Sequence, residues 1–284
     1  MNITYKAVSS EGRVLKELDE ATREAMNSVG WLVGKDHTCM IARYGDPPDP
    51  VGSGTFVRVG GRLFVATAKH LFEGLRGDDL VGVYWGEQDN RATVAKAHII
   101  LDDELDLAAI PLPTPEGACG TPLGYTEPVH AEEEPDLFVV SGVPAEECKI
   151  DSVSRTLHVG HVSLGCVSLP AELWPTNPEE PIRPDVDLLL NYTRDFAIDD
   201  RGMPMHQVDP HGLSGGGIWS VPKSARGIWS PVNARLVAIQ YAVDEAKWRY
   251  LRATRLDCWL RMIADKCPDE GYLGIPYSIP DRNK

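Results

Sequence analysis

The chain has 284 residues, of which 43% are hydrophobic and 25% are charged, and its formal net charge is -14. This apolar content is sufficient for a sizeable buried core and argues against intrinsic disorder. The negative charge disfavours nucleic acid as a partner, because proteins that bind nucleic acid gain affinity from clustered Lys and Arg residues.

The first predicted element is an N-terminal helix over residues 15–26, where apolar residues recur near helical spacing with acidic residues between them. After Gly30 the sequence changes to short alternating or β-branched runs separated by Gly, Pro and Asp, which is typical of an all-β barrel or sandwich. The runs 55–59 and 62–66 flank Gly60 and Gly61, a dipeptide that tolerates the positive φ angles of a tight hairpin turn.

Further strands are predicted in two sets, separated by a Pro-rich and Gly-rich linker over 113–128. The first set covers 80–85, 93–101 and 107–112, and the second covers 136–142, 156–169, 187–192, 216–221 and 236–243. Helical spacing returns at 256–264. The order of helix, about six strands, linker, about six strands and helix indicates two successive β units.

Three short segments hold residue types that are suited to acyl transfer. His70 directly follows a predicted core strand, Asp106 directly precedes an apolar run, and Ser214 lies among the glycines of the segment 212–217. A glycine-rich loop lets backbone N–H groups turn toward one point, where they can bind the oxyanion of a tetrahedral intermediate. Each segment alone also has an ordinary structural explanation: a structural histidine, a solvated acid and a tight turn.

Together the three segments resemble the trypsin-like (chymotrypsin-clan) serine peptidases, and the chain is most similar to bacterial intracellular members. In that family the base lies in a T-A-A-H context, matched here by residues 67–70, with Lys69 in place of a small residue. The acid opens an apolar strand, matched by 106–110, and the nucleophile lies in G-x-S-G-G, matched by 212–216. The segment 52–54, Gly-Ser-Gly, resembles the start of the histidine hairpin in bacterial members, and the resemblance covers about 31–265.

The resemblance implies an all-β fold of two six-stranded antiparallel barrels, with an N-terminal and a C-terminal helix. The expected domains are a helical extension over 1–30, a peptidase domain over 31–266 and a tail over 267–284. Within the peptidase domain, barrel one is expected at about 31–125, barrel two at about 126–256 and the terminal helix at 256–266.

The resemblance also implies the activity of a hydrolase, a serine endopeptidase with a catalytic triad. Ser214 would attack the scissile carbonyl, His70 would act as general base, and Asp106 would orient His70. The N–H groups of Gly212 and Ser214 would form the oxyanion hole. This chemistry requires no metal and no cofactor. Asp102 and Asp103 are alternatives for the acid, but neither directly precedes the apolar run.

The expected partners are a protein or peptide substrate and a regulatory protein, with no nucleic acid and no membrane. Val208 falls at the floor of the specificity pocket, so no carboxylate is expected there to attract a Lys or Arg side chain. Tyr241, Ala242 and Val243 would line the groove and favour small or apolar substrate residues. Leu213 replaces the aspartate that zymogen-type members use after N-terminal cleavage, so activation by such cleavage is not expected.

A cytoplasmic location is expected, because the first residues do not resemble a signal peptide and no stretch approaches the roughly 20 apolar residues of a membrane helix. Six cysteines without a C-x-x-C pair are then expected to be free thiols. They are Cys39, Cys119, Cys148, Cys166, Cys258 and Cys267. No zinc site is predicted, because His37 and Cys39 have no second ligand pair at a suitable spacing.

Two other functions remain to be compared with the peptidase. A catalytically weak peptidase-like binding or scaffold module would keep the fold without turnover, and its usual mark is the loss of a triad residue. All three residues are present here. An α/β-hydrolase also uses G-x-S-x-G, but its order is Ser, acid, His on a parallel sheet, which is the reverse of the order in this chain.

Overall fold

The structure is a computed structural model that describes residues 4–6, 15–17, 20–59, 62–85, 91–112, 137–150, 157–175, 181–198, 204–205, 211–221, 230–243 and 250–267. Antiparallel strands predominate, as the alternating sequence pattern predicts. The hairpin turn at Gly60 and Gly61 and the linker over 113–128 lie outside the described residues. The two strands beside that turn do pair, with Val59 opposite Arg62.

The N-terminal half contains one helix and nine strands among the described residues. They are β1 (Thr4–Lys6), β2 (Leu15–Glu17), α1 (Glu20–His37), β3 (Thr38–Arg43), β4 (Asp49–Val59), β5 (Arg62–Ala68), β6 (Leu80–Tyr84), β7 (Arg91–Ala95), β8 (Ile100–Asp102) and β9 (Leu107–Leu112). Short 3₁₀ helices occur at Lys69–Phe72 and Lys96–His98.

The predicted bounds of the N-terminal helix are wrong. Residues 15–17 form β2, which pairs with β1, whereas α1 begins at Glu20 and ends at His37. The apolar repeat continues past Met26 to Val29 and Val33, and all three side chains are buried against the second sheet. The helix therefore passes through Gly30, and a domain boundary at residue 30 would divide it.

The first sheet has the strand order β7-β6-β3-β4-β5-β9-β8. Strands β7 and β9 approach within 8 Å between Cα atoms, but no ladder joins them in the described part of the chain. The sheet is thus a half-barrel and not the closed six-stranded barrel that was predicted. The predicted strand 93–101 is broken by the 3₁₀ turn, and its second piece, β8, occupies the edge of β9 that would close the barrel.

The C-terminal half contains nine strands and one helix among the described residues. They are β10 (Leu137–Gly142), β11 (Cys148–Ile150), β12 (Leu157–Val159), β13 (Val162–Ser168), β14 (Asp187–Ile198), β15 (Pro204–Met205), β16 (Gly217–Ser220), β17 (Arg235–Val243), β18 (Tyr250–Arg255) and α2 (Leu256–Lys266). The predicted strand 156–169 divides at Gly160 and His161 into β12 and β13, and the predicted C-terminal helix is confirmed as α2.

The second sheet closes into a six-stranded barrel. Its order is β13-β10-β16-β17-β18-β14, and β14 pairs in turn with β13, while β15 pairs with the end of β14. Leu164, Leu190 and Leu251 are among the fully buried residues of its core. Because β13 accepts neighbours on both edges, this barrel has the closure that the first sheet lacks.

Helix α2 packs on the first sheet close to the site. Trp259 is fully buried, its ring meets Phe64 edge-on at 6.1 Å, and its Nε1 donates to the carbonyl of Ala108 at 3.0 Å. This hydrogen bond holds the helix against β9, two residues after Asp106. The apolar residues of the segment 256–263 thereby fix the strand that carries the candidate acid.

Candidate active site

The register of β5 and β9 brings His70 and Asp106 together. Ala68, the last residue of β5, pairs with Leu107, the first residue of β9. His70 lies in the 3₁₀ turn that follows β5, and Asp106 immediately precedes β9. Nδ1 of His70 lies 2.7 Å from Oδ2 of Asp106, and the backbone N–H of His70 donates to Oδ1 at 2.8 Å. Both carboxylate oxygens therefore hold the same histidine.

Asp106 adopts an unusual backbone conformation, with φ at +51°. A residue with a Cβ atom in this left-handed region loses about 1–2 kcal/mol relative to a right-handed one. The backbone carbonyl of Asp106 accepts a hydrogen bond from the N–H of Lys69 at 3.1 Å, so backbone and side chain both bind the histidine turn. These contacts stabilise a conformation that aims the carboxylate at His70.

The two alternative acids have other partners. Oδ1 of Asp102 accepts the N–H groups of Glu104 and Leu105, each at 3.0 Å, and so closes the turn that leads to β9. Asp103 lies 3.2 Å from Nζ of Lys69, and this hydrogen bond is the main cause of the raised pKa of Lys69. The lysine side chain thus points to Asp103.

Glycines shape the loop that carries Ser214. Gly212 and Gly215 have φ angles of +92° and +89°, which L side chains rarely adopt. A Cβ atom at Gly215 would also overlap the carbonyl oxygen of Ser53 and Oγ1 of Thr67. The N–H of Gly215 donates to the carbonyl of Gln240 at 2.8 Å. The motif therefore needs glycine at 215 for both conformation and space.

Ser53 holds this loop from β4 and is fully buried. Its N–H donates to the carbonyl of Ser214 at 2.8 Å, and its Oγ donates to the carbonyl of Gly212 at 2.5 Å. The same Oγ accepts the N–H of Val143 at 2.7 Å, and the Ser53 carbonyl accepts Oγ1 of Thr67 at 2.6 Å. The sequence indicates Ser53 only as part of Gly-Ser-Gly and does not predict this clamp between the two sheets.

The hydroxyl of Ser214 donates to the carbonyl of Tyr241 at 3.4 Å. Between the described side chains, Ser214 and His70 form no hydrogen bond. Such bonds are often long before substrate binds and shorten in the complex. Among the described residues, no acceptor is hydrogen-bonded to the N–H of Gly212 or of Ser214. These two N–H groups are the ones that the sequence predicts for the oxyanion hole.

The predicted groove residues differ in their environment. Val208 lies outside the described residues. Tyr241 is 8% exposed, and its ring packs on the core of the first sheet, so this residue offers its backbone carbonyl to Ser214. Ala242 and Val243 are half-buried. A groove lined by the side chains of 242 and 243 stays a prediction.

Burial makes three of the described cysteines poor nucleophiles. The five described cysteines are free thiols, and Cys119 lies outside the described residues. Burial raises the pKa of Cys148 to about 12, and it raises the pKa of Cys166 and Cys258 as well. A thiol with a raised pKa carries little of the reactive thiolate at neutral pH.

Among the described residues, no three His, Cys, Asp or Glu side chains are grouped as ligands of a metal ion would be. Neither of the two described helices has the length and apolarity that a membrane crossing demands.

No protein-family model matches the sequence, and no curated protein matches it. The chain is similar to solved structures of other proteins. One is the structure of Rv3671c from M. tuberculosis H37Rv, a serine-to-alanine mutant in its inactive form. The two sequences are 15% identical, the match covers 88% of this chain and 94% of that chain, and the TM-score is 0.46. Another is a serine endoprotease from Yersinia pestis, with 12% identity, 86% of this chain and 67% of that chain covered, and a TM-score of 0.49.

Proposed function

We propose that this chain is a trypsin-like serine endopeptidase that forms an acyl-enzyme on Ser214. The observation that carries the proposal is the pair of His70 and Asp106, in which the carboxylate binds both Nδ1 and the backbone N–H of the histidine. Such an acid fixes the orientation and the tautomer of an imidazole that acts as a base. The loop of Ser214 is tied to the same region through Ser53 and Thr67.

In this proposal the protons move in two steps. With its proton on Nδ1 shared with Asp106, His70 has Nε2 free to accept the Ser214 proton as Oγ attacks the scissile carbonyl. Asp106 stabilises the resulting imidazolium. The imidazolium then gives its proton to the leaving amine, and water hydrolyses the acyl-enzyme by the same route.

The N–H groups of Gly212 and Ser214 would bind the oxyanion of the tetrahedral intermediate. Their support is a pair of backbone hydrogen bonds, in which the carbonyl of His211 accepts the N–H of Ala145 at 3.4 Å and the carbonyl of Leu213 accepts the N–H of Gly216 at 2.7 Å. In a trans peptide the N–H points away from the carbonyl, so these bonds fix the directions of the N–H groups of Gly212 and Ser214. Preorganised donors of this kind contribute about 3–4 kcal/mol each to transition-state stabilisation.

The proposed substrate is a protein or peptide with a small or apolar residue in the primary pocket. Val208 would form the floor of this pocket, and Ala242 and Val243 would form one wall. A carboxylate at the floor would favour Lys or Arg, and valine provides none.

One observation favours the second candidate function, a catalytically weak binding or scaffold module. The Ser214 hydroxyl is hydrogen-bonded to the carbonyl of Tyr241 and not to His70. If this arrangement persisted in the presence of substrate, Ser214 would lack its base. The two functions differ in one measurable property, the reactivity of Ser214.

The test is the reaction of the purified chain with a fluorophosphonate probe. An activated Ser214 displaces fluoride from phosphorus, and peptide mapping should place the adduct on Ser214. Ser214→Ala and His70→Ala should abolish labelling with little change in melting temperature, because neither residue is part of the buried core. Ser28→Ala, on α1, should label like the unchanged chain. Labelling of another serine, or none in folded protein, would exclude the endopeptidase.

A further inference from the structure

A buried charged network in the second barrel lies next to the turn over residues 102–106, here called the acid turn. At its centre is Asp187, the first residue of β14, which is fully buried. Its Oδ2 accepts Nη2 of Arg252 at 2.7 Å and the N–H of Arg183 at 2.6 Å. Its Oδ1 accepts the hydroxyl of Tyr241 at 3.2 Å. A buried carboxylate requires such partners, because an uncompensated one would cost several kcal/mol.

The cation of this network is equally enclosed. The side chain of Arg252 is 7% exposed, and its guanidinium lies 5.5 Å from the ring centroid of Tyr241. Nη2 also donates to the carbonyl of Pro181 at 2.6 Å. Replacing such a pair by apolar residues is often neutral or stabilising, so stability alone does not explain why a buried pair is present.

Two contacts connect the network to the turn before Asp106. Arg183, which is held by Asp187, donates from Nη1 to the carbonyl of Glu104 at 3.0 Å. Thr254, the ladder partner of Asp187, donates from Oγ1 to the carbonyl of Leu105 at 3.1 Å. These carbonyls belong to the two residues directly before Asp106, whose left-handed conformation needs support.

A third contact leads to the nucleophile. Tyr241 sits at a β-bulge, between Gln240 and Ala242, where the pairing of β17 with β18 shifts by one residue. Its hydroxyl binds Asp187, and its carbonyl accepts the hydroxyl of Ser214. Tyr241 thus connects Asp187 to the loop that carries Ser214.

We infer that Asp187, Arg252 and Tyr241 form a positioning network that sets the geometry of Asp106 and Ser214 from the second barrel. The inference rests on the proposed function, because it assigns a task to groups that touch neither substrate nor the reacting atoms. Arg183 and Thr254 transmit the position of the network to Asp106, and the Tyr241 backbone transmits it to Ser214.

The first test removes the transmitting contacts and leaves the buried ions in place. Arg183→Gln combined with Thr254→Val removes both hydrogen bonds to the carbonyls of the acid turn. Labelling of Ser214 by the fluorophosphonate should slow about tenfold or more, since the turn before Asp106 loses both hydrogen bonds to the second barrel. In an Asp106→Asn background the same pair should change the rate less than about twofold, because effects exerted through one residue are not additive. Arg261→Gln, at a half-exposed arginine of α2, is the matched control and should label normally.

The second test uses a signal that does not depend on turnover. The proton between Nδ1 of His70 and Oδ2 of Asp106, which lie 2.7 Å apart, should give a downfield imidazole resonance in the NMR spectrum. We expect this resonance to shift or broaden in the double variant and in Asp187→Asn, and to stay unchanged in Arg261→Gln. Asp187→Asn leaves the charge of Arg252 uncompensated. If this variant does not fold, the imidazole resonance is compared instead in the double variant and in Tyr241→Phe, which removes the hydroxyl that binds Asp187.

The outcomes separate the two proposals. An unchanged imidazole resonance and an unchanged labelling rate in a folded double variant would overturn the positioning network. If the unchanged chain does not label at all, the endopeptidase proposal fails, and the imidazole resonance alone then decides whether the network positions Asp106.

Discussion

At the scale of single residues, Asp106 is constrained through both its side chain and its backbone. Three of its oxygen atoms accept hydrogen bonds from Lys69 and His70, and its φ angle lies where few residues other than glycine are found. Aspartate tolerates this region better than most residues. Position 106 therefore needs a residue that tolerates a positive φ angle and that also carries a carboxylate to accept hydrogen bonds from His70. These two requirements can be tested separately.

Asp106→Asn should keep the fold and lose most of the activity. Asparagine also tolerates the left-handed region, so the melting temperature should change little. Its amide nitrogen cannot accept the Nδ1 proton, which favours the wrong tautomer of His70, and the rate of labelling or peptide hydrolysis should fall about 10³–10⁴-fold. Asp103→Asn is the matched control, because Asp103 faces Lys69 and should affect the rate less than about threefold. Similar rates for the two variants would show that Asp106 is not the orienting acid.

The sequence could predict which residues come together at this scale, but not what holds them. Order and context of His70, Asp106 and Ser214 were sufficient to propose the triad, and the structure places His70 and Asp106 in contact. The Ser53 clamp and the buried ring of Tyr241 could not be foreseen, because each depends on contacts between residues more than 50 positions apart. Only the folded backbone specifies such contacts.

At the scale of elements, the errors of prediction share a physical cause. Strand composition continues through residues 93–101 and 156–169, but the chain turns inside both segments, at Lys96–His98 and at Gly160. A local pattern reports which residues suit a strand, whereas pairing partners decide where the strand ends. Strands β3 and β18 were not predicted.

Helix α1 should contribute strongly to stability, although its residues 20–30 lie outside the predicted peptidase domain. Met26 is 1% exposed and packs with Val29 and Val33 on the second barrel. Met26→Ala should lower the free energy of unfolding by about 2–5 kcal/mol, which would be seen in thermal unfolding as a loss of roughly 5–15 °C. Glu24→Ala, at an exposed position of the same helix, should leave the melting temperature within about 2 °C. Equal melting temperatures would mean that α1 does not pack on the barrel in solution.

At the scale of the whole molecule, the candidate site depends on both sheets. His70 and Asp106 belong to the half-barrel, and Ser214 belongs to the closed barrel. Ser53 reaches from the first sheet into the nucleophile loop, and Thr254 reaches from the second sheet to the acid turn. The first sheet is open, but His70 and Asp106 can still be held in place, because the closed barrel and α2 both contact the segment around Asp106.

We expect the pH dependence of stability to arise in part from His37, the last residue of α1, which links the helix to the second barrel. It is 1% exposed and its ring lies 5.0 Å from that of Trp219. Burial lowers the pKa of His37 from 6.5 to about 4, so the folded chain resists a proton that the unfolded chain accepts.

The contribution of His37 to stability should be constant above pH 6.5 and should be lost as the pH falls from about 6.5 toward 4. By pH 5 this loss should reach about 2 kcal/mol. Denaturant unfolding at pH 7.5, 6 and 5 measures it. His37→Gln should remove this part of the pH dependence, because glutamine does not titrate. His158→Gln, at an exposed position of β12, should keep it. If the stability of His37→Gln falls as steeply between pH 6.5 and 5 as that of the unchanged chain, then other groups take up the protons, and the contact between α1 and the barrel is not the pH-sensitive one.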